Sequence, residues 1–179
     1  MDFNDVINNR REITSFLDQS ISNEKLESIL EAAWLAPTGN NLPSREFIVV
    51  KDKEVLLNLS RTTPYVPWLK EANCAVVITG RPEISKYWIQ DGSIAAGYIW
   101  LSAVNAEIGC AFGAVFNAMD EKESGEREAF VKEELHIPKD RRVLAILGLG
   151  YAKDKPNKKK LPKKTEMIHY ETFEKVNNS

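Results

Sequence analysis

The chain has 179 residues, with 24 Lys+Arg against 26 Asp+Glu and a formal net charge of −2. This is the length of one ordinary domain, able to bury roughly 70% of the surface its unfolded chain exposes, and the near-neutral balance excludes a protein that coats nucleic acid by bulk electrostatics. With 43% hydrophobic and 28% charged residues, the composition fits neither a disordered nor a membrane-embedded chain.

The opening MDFNDVINNRREI has no apolar h-region, and no apolar run approaches the roughly 18 residues that span a bilayer. The cytoplasm is the expected compartment. The two cysteines, Cys74 and Cys110, suit it as free thiols, although two cysteines can also form one bridge. Neither they nor His136 and His169 form a CxxC or Cys/His grouping, so no metal site is expected.

In chain order, Ser22 followed by Glu24, with Leu26, Ile29, Leu30 and Ala33 at helical spacing, predicts a capped amphipathic helix that ends near Pro37. A loop, TGNNLPS, follows it. Phe47 to Val50 reads as a short buried strand, Val55 to Leu59 as a helix started by Asp52, and Cys74 to Thr79 as a second strand. From Asp91 to Asn105 the sequence is apolar or small nearly all round, which marks a helix buried in the core or packed against another subunit. Asp120 to Glu134 predicts a further amphipathic helix ending before Pro138, and Val143 to Leu149 a third strand. The alternation gives an α+β class. Trp34, Trp88 and Trp100 fall in helical stretches as core or dimer residues. Trp68 stands in a loop, where an aromatic either packs inward or flanks a pocket.

No GxSxG, P-loop or HExxH motif is present, and Gly148-Leu-Gly150 follows the last strand without the third glycine of a dinucleotide fingerprint. Three polar segments remain. Arg10-Arg11-Glu12-Ile13-Thr14-Ser15-Phe16 offers guanidiniums and hydroxyls to a phosphate, or is a solvated basic helix end. Ala36 to Ser44 offers turn amides to a heterocycle or sugar, or is a plain connection. Lys158-Lys159-Lys160-Leu161-Pro162 belongs to a stretch from Lys153 to Lys164 holding seven lysines, a phosphate clamp or a solvated tail.

Taken in order, these segments resemble the nitroreductase family of FMN-dependent oxidoreductases. The first is similar to the family's RRSxRxF-like motif, and Ala36-Pro37-Thr38-Gly39-Asn40-Asn41 with Phe47 to its APSxxNxQPWxF-like loop. Asp91-Gly92 through Gly109-Cys110-Ala111-Phe112-Gly113 resembles its central helix and following strand. Leu135-His136-Ile137-Pro138, Gly150-Tyr151 and the KxRLP-like tail complete the likeness, which runs from about residue 6 to 171.

The resemblance implies a central, mostly antiparallel sheet wrapped by helices, and a homodimer with exchanged tails. Residues 1–152 would form the FMN-binding domain and 153–179 a basic extended tail packing on the dimer. Arg10 and Thr14 would meet the FMN phosphate and ribityl chain, with Arg11 beside them and Lys158 and Lys160 closing from the tail. Pro37, Thr38, Gly39 and Asn41 would come from the other subunit, and Phe112, Gly113 and Ala114 would lie along the isoalloxazine. The implied activity is a ping-pong hydride transfer from NAD(P)H through FMN to a nitroaromatic, quinone or enone-type acceptor, with no catalytic side chain required. Partners are then a second copy, NAD(P)H and a small acceptor, without nucleic acid or membrane. A flavin carrier or redox sensor without steady turnover is the alternative. Glu12 stands where the family has a small hydroxyl residue, so its carboxylate either points away from the phosphate or pairs with Arg11 or a tail lysine. Leu42-Pro43-Ser44-Arg45 replaces the usual QPW.

Overall fold

The computed structural model describes residues 1–154, 156–158 and 160–173. Two of the seven tail lysines, Lys155 and Lys159, lie outside the described residues, as does the end of the tail from residue 174.

Helix starts are set by side-chain caps. Asp2 accepts the Asn4 amide at the head of α1 (Phe3–Asn9) and Ser22 that of Lys25 at the head of α2 (Asn23–Leu35). Asp52 accepts from Glu54 and Val55 at α3 (Lys53–Leu59), and Asp120 from Glu123 at α5 (Glu121–Leu135), each satisfying amides that have no partner within the helix. His136 ends α5 in the left-handed region, φ 54°, as a turn residue.

Four antiparallel strands form one sheet in the order β1-β2-β4-β3, with β1 Arg45–Val50, β2 Cys74–Gly80, β3 Gly109–Ala114 and β4 Arg142–Gly150. The two central strands are covered on both faces, which is why their sequences are continuous apolar runs rather than alternating ones. On one face, Ala75 and Val77 of β2 meet Leu56 and Leu59 of α3, Val131 of α5 and Leu69. On the other, Val76 and Ile78 meet Leu26 and Ile29 of α2 and Ala96 and Ile99 of α4 (Trp88–Asn105). Each fully buried Leu or Ile contributes about 1.5–3 kcal/mol.

The long helix begins three residues before the expected Asp91, because Trp88 is itself a core residue. Its ring covers Gly80 so closely that a Cβ there would come 2.2 Å from Cε3. Trp68 proves to be core: it lies 9% exposed beneath the sheet, and its Nε1 donates to Tyr65 O at 3.0 Å. Trp34 is 73% exposed, so it is no part of the core. The tail carries one short helix, α6 (Lys164–Met167), and its apolar residues Leu161, Met167, Ile168, Tyr170 and Phe173 are exposed. His169 packs against Phe173 with the rings tilted 32° and their centroids 4.2 Å apart.

Candidate functional site

The first polar segment leaves α1 in an extended conformation and runs onto the free edge of β3. Ile13 N–H donates to Cys110 O at 3.0 Å, and Glu12 bridges Cys110 in parallel. Extended backbone alternates its side chains, so the two arginines part company. The Arg10 guanidinium carbon lies 4.8 Å from the centroid of the Trp100 ring and Arg10 forms no ion pair among the described residues. Arg11 instead donates from Nη1 to the carbonyls of Asn8 (2.9 Å) and Arg10 (2.7 Å), closing the C-terminus of α1. Glu12 points to neither arginine: its Oε1 accepts from the Phe112 amide at 3.4 Å. Thr14 is exposed.

On β3, Phe112 faces the α4 side and stacks parallel to Trp100 at a centroid distance of 6.5 Å. Gly113 faces the opposite way, where a Cβ would come 2.4 Å from Val66 Cγ1; its lack of a side chain is demanded by core packing. Phe112 and Ala114 border a cleft of about 490 Å³ together with Thr63, Tyr65, Asn117 and Arg127. Burial pushes the adjacent Cys110 thiol up, assisted by Glu12 and opposed by Arg10, so this sulfur is an inert thiol.

The second segment is organised from below by Asp91, a 2% exposed carboxylate in the first turn of α4. It accepts the Gly39 amide at 2.8 Å, the Ser44 hydroxyl, and the Ser85 hydroxyl at 3.4 Å. Between these anchors Asn40 and Asn41 adopt φ of 56° and 55°, a region that asparagine tolerates better than most residues. A Cβ at Gly39 would meet Tyr87 Cδ2 at 2.8 Å. Arg45 stands where the resemblance expects Trp. Its guanidinium gathers the carbonyls of Ala33, Ala36 and Pro37, ending α2 and fixing the start of the loop. Burial lowers the pKa of Arg45 and the nearby Asp91 opposes that shift. Pro37, Thr38 and Asn41 line a cavity of about 560 Å³ with Trp34, Arg45 and Phe47.

The chain thus brings Arg10 and Phe112 together around Trp100, but it holds Pro37, Thr38 and Asn41 in a different cavity, which shares no lining residue with the β3 cleft. Lys158 and Lys160 are exposed on the tail. The donor set suits a phosphorylated planar cofactor: an arginine without an ion pair among the described residues, Thr14 exposed beside it, and exposed lysines on the tail. Sequence reasoning placed Asp91, Ser44, Arg45 and Trp100 in their segments but gave none of them a role in organising the site. Two signals mark Asp91 in the sequence: the Asp91-Gly92 pair of the family resemblance and a lone carboxylate inside an otherwise apolar helix.

This is an α+β fold in which the segment carrying Arg10 and Arg11 runs along β3, with Arg10 over the ring of Trp100 and that ring stacked on Phe112. Residues 7–62 match the profile of the Nitroreductase family. A relative from Archaeoglobus fulgidus, named "Putative NADH dehydrogenase/NAD(P)H nitroreductase", is 37% identical over 153 residues, 83% of this chain and 84% of the relative. An FMN-dependent nitroreductase structure from Clostridium difficile R20291 superposes with a TM-score of 0.83 at 35% identity, covering 94% of this chain and 98% of that one. A nitroreductase family protein from Clostridium novyi NT superposes with a TM-score of 0.77 at 28% identity, with 89% of each chain covered. The chain belongs to the nitroreductase family.

Proposed function

We propose that this chain is an FMN-dependent NAD(P)H oxidoreductase that works as a homodimer. The observation that carries the reading is Arg10: a guanidinium without an ion pair among the described residues, held beside the ring-lined edge of β3. FMN bound there would supply the redox step, passing hydride from NAD(P)H to a nitroaromatic, quinone or enone-type acceptor in two alternating half-reactions.

The chain's own residues bind and orient. Arg10 and Thr14 hold the phosphate and ribityl chain, with Lys158 and Lys160 closing on the phosphate from the tail. Arg11 stands beside them, shaping the segment through the two carbonyls it caps. Phe112, Gly113 and Ala114 form the edge against which the ring lies, and the open cleft beside them leaves one ring face to the reactants. Pro37, Thr38, Gly39 and Asn41 complete the site from the second subunit, which accounts for the separate cavity that Pro37, Thr38 and Asn41 line in one chain. On this reading residues 1–152 are the flavin domain, and the exposed apolar side chains of the tail find their cover on the partner. No helix among the described residues is long and apolar enough to cross a membrane.

The test is spectroscopic. Purified protein should show flavin absorbance, bleach anaerobically with NADH or NADPH, and recover on addition of menadione or a nitroarene. A colourless protein that takes up no FMN overturns the reading. Bleaching without recovery on any such oxidant replaces the enzyme by a carrier or sensor.

A further inference from the structure

We infer that Trp100 is a positioning residue for the phosphate-binding arginine, coupling the anion end of the site to the ring end. The inference rests on the assignment of FMN above and goes beyond it, since it concerns a helix residue that no binding motif contains.

Trp100 grips the Arg10-Arg11 segment at two points. Its ring face carries the Arg10 guanidinium at 4.8 Å from the centroid, and its Nε1 donates to Arg11 O at 3.2 Å. The same ring lies parallel to Phe112, 2° between planes, on the strand that borders the open cleft. An arginine side chain without a partner samples many rotamers and must surrender that freedom when it binds an anion. An indole face attracts the cation through its quadrupole without neutralising its charge, so it narrows the rotamers while leaving the N–H fork available. A carboxylate in the same place would hold Arg10 equally well but would cancel the charge the phosphate needs. Glu12, the nearby carboxylate, is turned to the Phe112 amide and makes no ion pair with Arg10. The arrangement is therefore preorganisation of a cation, with Trp100 as the template.

The consequence is specific to ligands with a phosphate. Titration of the flavin-stripped chain with FMN and, separately, with riboflavin reads it through quenching of flavin fluorescence. Trp100→Met, which removes the ring face, should weaken FMN about 5- to 30-fold, the upper part of the cation–π range, for a contact partly withdrawn from water, expressed as affinity, and riboflavin by less than about 3-fold. Trp100→Phe keeps an aromatic face and should retain most of the preference for FMN. In an Arg10→Ala background, Trp100→Met should add little, because the group it positions is gone.

Equal losses for FMN and riboflavin in Trp100→Met, or losses that multiply independently with Arg10→Ala, overturn the inference. Should Trp100→Met melt below the assay temperature, the Phe variant decides: Arg10→Ala must cost it nearly the same factor in FMN affinity as it costs the unaltered chain. A smaller cost means that the ring face is not what holds Arg10. An unaltered chain that binds FMN no more tightly than riboflavin overturns the phosphate assignment itself. A preference for FMN that survives Trp100→Met removes only the role of Trp100.

Discussion

The carboxylate of Asp91 accepts the amide of Gly39 at 2.8 Å across 52 residues of sequence, tying the first turn of α4 to the loop that follows α2. With the Ser44 hydroxyl on its other oxygen, Asp91 holds both ends of the loop that carries Thr38 and Asn41. Replacing it with Asn keeps the volume but sets an NH₂ against donors. Asp91→Asn should therefore cost about 2–3 kcal/mol of stability, the penalty for leaving buried donors unpaired. Ser44→Ala, which removes one donor and leaves the carboxylate the Gly39 amide, should cost about 1–2 kcal/mol. Thermal melts at one fixed protein concentration check both, and FMN titration should show weaker binding in the order of lost stability. An Asn variant as stable as the unaltered chain would mean that the loop is held elsewhere.

Much of the fold was legible in the sequence. Ser22 and Asp52 cap the helices expected of them, because an N-cap acts within one turn and leaves a local signature, while Asp120, expected as the first residue of its helix, is that helix's cap. The three apolar runs became β1, β2 and β4, each begun or extended by a residue or two, but β1, expected buried, is an edge strand in which only Val50 is buried and Val49 is exposed. The roles of Asp91 and Trp100 in organising the site were not legible, for the opposite reason. Their partners Gly39 and Arg10 lie 52 and 90 positions away, and only the packing of α4 against β3 and the α2 loop makes them neighbours. Trp68 remained open between core and pocket because periodicity gives no direction inside a turn. The space above Gly148 decides it, since a Cβ there would lie 2.4 Å from the Trp68 ring.

The two adjacent arginines should differ in effect. Arg11 spends its donors on the carbonyls of Asn8 and Arg10, whereas Arg10 faces an aromatic ring with its charge uncancelled. Arg10→Ala should weaken FMN about 10- to 150-fold, the equivalent of about 1.5–3 kcal/mol for a charge-assisted contact. Arg11→Ala should weaken it less and should act on α1 by uncapping its end. Isothermal titration of the stripped chain distinguishes them, and equal affinities in the two variants would contradict the assignment.

The outward face of α4 with its neighbours should be covered in solution. Ile94 and Tyr98 of α4, Trp34 and Leu35 of α2, and Phe3 and Ile7 of α1 are all exposed large hydrophobic residues, with Trp34 at 73% and Phe3 at 67%. A monomer rarely leaves so many together. Sedimentation or solution scattering at micromolar concentration should give a homodimer. A monomer that retains FMN would refute the shared site as well as the dimer.

Both thiols should be silent in the folded protein near neutral pH. Burial pushes the Cys74 thiol up to about 11, with Lys51 opposing, and raises that of Cys110 as well. A thiol-specific disulfide reagent at pH 8 should label neither cysteine until denaturant is added. The sign of the pH dependence follows from linkage. In the unfolded chain the thiols ionise near 8.5–9, so above that pH the folded state binds more protons and loses stability as pH rises. The Cys74 contribution is intact below about 9 and is lost progressively as pH climbs towards about 11. Melting temperature should therefore fall across this interval. Rapid labelling of one thiol at pH 8 without denaturant would show that its pocket opens.

Only two of the described tail lysines should matter to the flavin. Lys158 and Lys160 stand at the positions assigned to the phosphate, while Lys153, Lys163 and Lys164 are exposed on either side of them. A solvated charge run acts through its summed field, which salt screens over a Debye length of about 8 Å. A clamp acts through contact, and contact is specific to the group contacted. Changing Lys158 and Lys160 to Ala should weaken FMN and leave riboflavin nearly untouched, because riboflavin lacks the phosphate. Changing Lys153, Lys163 and Lys164 to Ala removes one more positive charge but should leave FMN affinity almost as it was. Parallel titrations at about 0.15 M salt make the comparison. If the triple variant loses as much FMN affinity as the double one, the tail works as a diffuse field, and the assignment to Lys158 and Lys160 fails.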